Sequence, residues 1–195
     1  MLDFTEEQKL AQQAIRAWCA QHLEPKVLAM ESGDLSIYPA MREMAATFGI
    51  GDMARAAFAK MAARGEGGKS GASSQSSLMA ILMMELSRVC PGFALAFGAS
   101  LGLFGGAVMS RGTPAQKERW ALPVLTLEKI GAWGLTEPGA GSDAFGSMKT
   151  HARKVDGGYV ISGSKTFITN APFADVFVIY ARMSPGASPS KVMRA

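Results

Sequence analysis

Cysteine and histidine are scarce, with two of each in 195 residues. Cys19 and Cys90 stand far apart, outside any metal-spaced cluster or disulfide framework, so a reducing setting is expected and bacterial cytoplasm is the default localisation. His22 and His151 have no acid or thiol at ligand spacing, so no metal site is expected and both histidines read as structural. The chain lacks a G-x-S-x-G elbow, and His151 falls in a predicted strand, which removes triad hydrolysis. Runs of one charge are also missing. Lys plus Arg is 20 and Asp plus Glu is 16, a net +4 from scattered residues, so nucleic acid is not an expected partner even at a sequence pI near 9.2. The opening MLDFTEEQKL has no basic stretch followed by an apolar run and resembles neither a secretory signal nor a transit peptide.

What is present is apolar. Nearly half of the residues are hydrophobic, far from the low-hydrophobicity, high-charge balance of disordered chains, and the length allows one large core or a domain and a half. Thr5 followed by Gln8 forms a capping box that opens a helix to about His22, with Leu10, Ala14, Ile15 and Trp18 as its apolar face. A second helix is expected over 41–48 after Pro39, stopped by Gly49. Residues 64–77 are rich in Gly and Ser and read as a loop. Gly68-Lys69-Ser70 there imitates a phosphate-binding P-loop, but Ala63 stands where the motif needs glycine and no strand precedes it. A helix over 78–89 carries only Glu85, Ser87 and Arg88 as polar residues, so protein is expected on most of its sides, with Glu85 a paired structural acid.

The weakly polar run 93–109 contains Gly98, Gly102, Gly105 and Gly106. It is slightly short for a bilayer and lacks flanking anchors, so close packing of buried helices is the expected role of its glycines and no membrane span is assigned. Thr113-Pro114-Ala115-Gln116 opens a further short helix that ends near Leu122-Pro123.

Past Gly131 the pattern changes to short extended runs at 149–155, 159–162, 165–169 and 176–181, with Asp156-Gly157-Gly158 as a hairpin turn. The fold class is therefore α+β. An all-α domain over residues 1–125 precedes an incomplete antiparallel β domain over 126–195. Two dense segments lie in the second part. Trp133-Gly134-Leu135-Thr136-Glu137-Pro138-Gly139-Ala140-Gly141-Ser142-Asp143 ends a strand and opens a Gly-rich loop, where backbone amides and the Thr136 and Ser142 hydroxyls can approach anionic or carbonyl oxygens. That chemistry suits a phosphate-bearing cofactor or a thioester. In Lys165-Thr166-Phe167-Ile168-Thr169-Asn170, strand alternation places Phe167 and Thr169 on one face, an aromatic beside a hydroxyl, which fits a flat heteroaromatic ring with polar edges.

At these two segments the chain resembles the acyl-CoA dehydrogenase family, whose middle domain carries a Leu-Thr-Glu-Pro-x-x-Gly-Ser-Asp loop followed by Gly-x-Lys-x-x-Ile-Thr-Asn. The matching residues are Leu135 to Asp143 and Gly163 to Asn170. The resemblance covers essentially the whole chain, including the Leu2 to Gln8 opening and Gln116-Lys117 with Leu122-Pro123, and thins around 53–75 and in the last dozen residues. It implies FAD as cofactor and an acyl-CoA substrate, dehydrogenated between its α and β carbons. Trp133, Leu135 and Thr136 would line the flavin ring, Gly141 and Ser142 would lie near the cofactor chain, and Phe167 with Thr169 would close the other side. Ser142 would also meet the pantetheine of the substrate. Family members often have Trp where this chain has Phe167.

The resemblance further implies a carboxy-terminal helical bundle, absent here, which supplies the catalytic base. No catalytic residue is therefore assigned, and Glu137 is read as part of the loop's structure. Implied partners are an electron-transferring flavoprotein as acceptor and further copies of the chain in a homo-oligomer. Two other readings stand beside this one: a non-catalytic subunit or fragment that binds CoA or partners, and a flavin oxidase or monooxygenase on the same scaffold.

Overall fold

The computed structural model describes residues 4–64 and 73–183. They fall into two compact units. One comprises the chain up to Gly98 together with Leu125–Leu127, and the other comprises Ala99–Val124 and the chain from Glu128 onward. The helices between Ala99 and Val124, which the sequence reading groups with the amino-terminal domain, cluster with the strands.

The first unit is helical: α1 Glu6–Trp18, α2 Val27–Glu31, α3 Ile37–Thr47, α4 Ile50–Arg64, α5 Ser73–Val89 and α6 Pro91–Gly98. The capping box forms as expected, with the Gln8 amide donating to Thr5 Oγ1 at 3.3 Å and the Thr5 amide donating to Gln8 Oε1 at 3.0 Å. Helix α1 passes at Cys19–Leu23 into a wider π-helical turn. The buried face is Ile15, Trp18, Cys19 and Leu23, whereas Leu10 and Ala14, expected to be buried, are exposed. The reason is polar. Gln8, Gln12 and Arg16 all turn toward α5, where they donate to Ser77 and Glu85, and residues two further along a helix point about 200° away.

Helix α3 starts four residues earlier than the sequence indicates. Pro39 lies in its first turn, where a missing N–H leaves no intrahelical bond unmade, and Gly49 at φ +62° terminates it. Helix α5 starts at Ser73, inside the expected loop. Residues 65–72 of that loop, with Gly68-Lys69-Ser70, lie outside the described residues, as do Leu2, Asp3 and the stretch after Met183. Only one face of α5 is buried, namely Ile81, Leu82, Glu85 and Leu86; Leu78, Met79 and Met84 are exposed, which corrects the expectation of protein on most sides.

Glu85 is the buried charge of this unit among the described residues. Arg16 Nη2 donates to its Oε1 at 2.8 Å and Arg16 Nε to its Oε2 at 3.0 Å, Gln12 Nε2 donates at 2.7 Å, and Arg88 Nε at 3.1 Å. Both carboxylate oxygens are thus fully bonded, and the hydrogen bonds from Arg16 above all hold the group at about 2 despite its burial. His22 is stacked on Trp18 at 5.5 Å with its Nδ1 2.7 Å from Glu43 Oε1.

The second unit starts with a π-helical stretch, Ala99–Gly105, followed by α7 Gly106–Arg111, α8 Pro114–Gln116 and, after another π turn, α9 Leu122–Leu125. The Thr113–Gln116 capping box is formed. The continuous helix Pro91–Arg111 is long and apolar enough to cross a membrane by length and composition, and Phe93, Phe97, Ser100 and Phe104 along it are buried in protein. Close packing explains Gly98, where a Cβ would sit 3.3 Å from Met83, but not Gly102 or Gly106, which face open space.

The strands are β1 Gly131–Gly134, β2 His151–Val155, β3 Gly158–Ser162 and β4 Val176–Ile179, with α10 Ala144–Ser147 between the first two. β2 and β3 form the expected antiparallel hairpin through Asp156-Gly157, glycine taking φ +76°. β1 and β4 pair in parallel, Trp133 opposite Val178, a pairing that local sequence does not announce. Residues 165–169 form no strand, contrary to expectation; positive φ at Phe167 and Asn170 breaks the extended pattern.

Glu85 supplies a test of this account. Its folded-state pKa is depressed, so its contribution is complete above the ordinary carboxylate range near 4.5 and is lost as pH falls toward 2. Glu85→Gln is expected to lower stability at neutral pH by about 2 kcal/mol, allowing for the partly exposed arginines, and to flatten the acid limb between those values. Urea unfolding followed by circular dichroism across that pH range checks it; a variant with the wild-type acid limb would contradict it.

Candidate functional site

The site is built on β1. Its first residue is glycine by necessity, since a Cβ at Gly131 would sit 2.6 Å from the Phe104 ring on the π-helical stretch. Ser100 Oγ accepts the Gly131 amide at 3.0 Å, and Asn170 Nδ2 donates to the Gly131 carbonyl at 3.2 Å. The strand is therefore seated on the helix with both polar groups of Gly131 bonded, and it delivers Trp133 and then the Gly-rich loop.

That loop is organised by Glu137. The side chain is buried and accepts the Lys149 amide at 2.7 Å, the Thr150 amide at 2.9 Å and Lys165 Nζ at 2.9 Å. Lys165 Nζ also donates to the Leu135 carbonyl at 2.8 Å, and the Thr166 amide donates to the Thr136 carbonyl at 3.0 Å. Burial opposes ionisation of Glu137, but the polar groups of Thr150, the Lys149 amide and the Lys165 ammonium outweigh it and hold the carboxyl at about 2. A carboxylate so tightly bonded is a poor proton acceptor near neutrality. Its assignment to loop structure follows from this geometry.

Lys165 thereby joins two walls. Between them lies a shallow cavity of about 170 Å³ lined by Trp133, Thr136, Phe167, Ile168 and Thr169, with Ala99 and Leu103 from the π-helical stretch. Four of the residues selected from sequence, Trp133, Thr136, Phe167 and Thr169, thus converge on one cavity. Leu135 is half-buried beside it with its carbonyl bound to Lys165, whereas Gly141 and Ser142 are exposed and lie outside its lining. Ala99 and Leu103 had no sequence signal beyond membership of an apolar helix. Lys165 stood in the motif without an assigned role.

Phe167 has the most unusual backbone in the site. It adopts φ +53° and is 92% exposed at the cavity. For a bulky side chain the left-handed region costs of the order of 1–3 kcal/mol, and exposure of the ring recovers nothing from burial.

Residues 5–128 match the family model for the acyl-CoA dehydrogenase N-terminal domain, and residues 132–194 match that for the middle domain. The chain belongs to the acyl-CoA dehydrogenase family. It is 36% identical over 182 residues to a short-chain-specific acyl-CoA dehydrogenase of Clostridium acetobutylicum, covering 92% of this chain and 45% of that protein. It is 34% identical over 187 residues to the mitochondrial isovaleryl-CoA dehydrogenase of Bos taurus, covering 95% and 41%. Among solved structures it resembles an acyl-CoA dehydrogenase of Bacillus anthracis complexed with FAD, at TM-score 0.74 and 31% identity over 92% of this chain and 29% of that one. The chain thus spans less than half the length of these relatives.

In this family member the Glu137–Lys165 pair is testable as a unit. Glu137→Gln leaves a buried ammonium short of its counter-charge and is expected to cost about 3 kcal/mol. Glu137→Gln combined with Lys165→Met removes both charges and is expected to recover a substantial part of that loss. Denaturant midpoints of the three proteins decide, and a double variant no more stable than the single one would contradict the pairing.

Proposed function

We propose that this chain forms one wall of an FAD site serving α,β-dehydrogenation of an acyl-CoA thioester. The observation that carries the reading is Phe167. An aromatic ring held out at backbone expense, facing a cavity that also holds Trp133 and two threonine hydroxyls, suits a flat ring with polar edges. The residues present fit that group in part. A volume of about 170 Å³ is below the usual range for sites enclosing a whole small molecule, roughly 300–1,000 Å³, and matches one face of a larger cleft.

FAD, when bound, would supply the hydride acceptor. The chain's own residues would bind and orient: Trp133 and Phe167 by ring contact, Thr136 and Thr169 by hydrogen bonds to ring edges. Leu135 would be fixed beside them, and Gly141 with Ser142 would serve the cofactor chain or the thioester's pantetheine. None of the seven residues lining the cavity is titratable, and Glu137 is locked as a carboxylate, so the substrate's α-proton has no acceptor among them. The proposed acceptor of electrons is an electron-transferring flavoprotein, and the proposed assembly is a homo-oligomer. The resemblance to FAD-complexed B. anthracis acyl-CoA dehydrogenase supports the cofactor, and the names of the curated relatives support the substrate class.

Phe167→Gly separates this role from a structural one. Glycine relieves the left-handed strain, so the variant is expected to be as stable as wild type or about 1 kcal/mol more stable, while its FAD affinity falls at least about fivefold. Flavin fluorescence titration beside thermal unfolding measures both. The 195-residue chain is expected to take up flavin without turning over acyl-CoA; absence of flavin uptake by wild type, or turnover by it, would overturn the reading.

A further inference from the structure

Trp133 lines the cavity, and its ring is also met by a residue outside both motifs. Tyr180 follows β4 directly, and its amide donates to the Gly134 carbonyl at 3.0 Å, extending the parallel β1–β4 ladder by one bond. In that register Trp133 is opposite Val178, so Tyr180, two residues on, is its diagonal neighbour on the same face. The two rings meet edge to face, with centroids 5.3 Å apart and planes at 74°. Behind Tyr180 stands Phe145 of α10, again edge to face at 6.4 Å and 74°. Arg182, two residues further along the same segment, donates through Nη2 to the Phe145 carbonyl at 3.1 Å and also to the Gly146 carbonyl.

Trp133 precedes the Gly-rich loop and Phe145 follows it, so both ends of the loop are pinned to a single ring. The Asp143 side chain caps α10 through the Gly146 amide at 3.1 Å, which fixes the far end again. Val178 alone could fill space beside Trp133, but only a planar partner selects the tilt of an indole, because edge-to-face contact is directional where aliphatic contact is not. We infer that Tyr180 is a positioning residue that sets the ring plane of Trp133 in the cavity wall. This rests on the flavin-site reading only for the consequence that affinity for a flat ring depends on Tyr180.

The test uses the whole chain carrying 5-fluorotryptophan, with the Trp133 fluorine resonance assigned by Trp133→Phe. Tyr180→Leu is expected to shift that resonance while those of Trp18 and Trp120 stay in place, and to weaken FAD binding roughly three- to tenfold. Tyr180→Phe keeps the ring and is expected to do neither. An unmoved Trp133 resonance in Tyr180→Leu overturns the inference whether or not FAD binds, and so does a shifted resonance with unchanged FAD affinity. Movement of all three resonances would indicate general loosening and would also overturn it. A wild-type chain that takes up no FAD removes the flavin-site reading, while the fluorine shift still tests the contact of Tyr180 with Trp133.

Discussion

The Glu137 carboxylate is the constraint on which the second unit depends. Two amides just before β2 and one ammonium from the 163–170 segment, itself also tied to the Leu135 carbonyl, converge within hydrogen-bond distance of its two oxygens. Three stretches far apart in sequence are brought together by one buried charge. A buried carboxylate with a single partner would be a liability, because desolvation exceeds what one ion pair returns; with three donors it becomes a fixed point. Thr136 and Phe167 face the same cavity because both of their segments are attached to this group.

The cost of the site lies elsewhere in the same unit. Phe167 and Asn170 both adopt positive φ, and only Asn170 gains an evident return, its side chain donating to the Gly131 carbonyl. The π-helical geometry of Ala99–Gly105 is a second departure from regular structure, and it lies where Ala99 and Leu103 reach the cavity and Ser100 and Phe104 seat β1. Irregularity in a helix and in a loop thus meets at one place, as is common where structure serves binding rather than stability.

Much of this was legible in the residues. Both capping boxes, the Asp156-Gly157 turn, the helical-then-β order and the convergence of Trp133, Thr136, Phe167 and Thr169 follow from local chemistry and the paired motifs. The failures share a cause. Leu10 and Ala14 looked buried because apolar spacing cannot reveal that α1 meets α5 through Gln12, Arg16 and Glu85. Residues 165–169 looked like a strand because alternation is the same in an extended loop, and positive φ at an aromatic has no sequence signature. The parallel pairing of β1 with β4, and with it the contact of Tyr180 on Trp133, is a long-range choice that neither segment announces alone.

The ionisation of Glu137 tests the central claim most directly. Carboxyl-carbon NMR of the intact chain, with Glu137 assigned by substitution, should give a titration midpoint near 2, accompanied in the same step by shifts of the Lys149 and Thr150 amides. A midpoint at or above the ordinary carboxylate value near 4.5, or amides that do not respond, would contradict the claim that this charge holds the two walls of the site together.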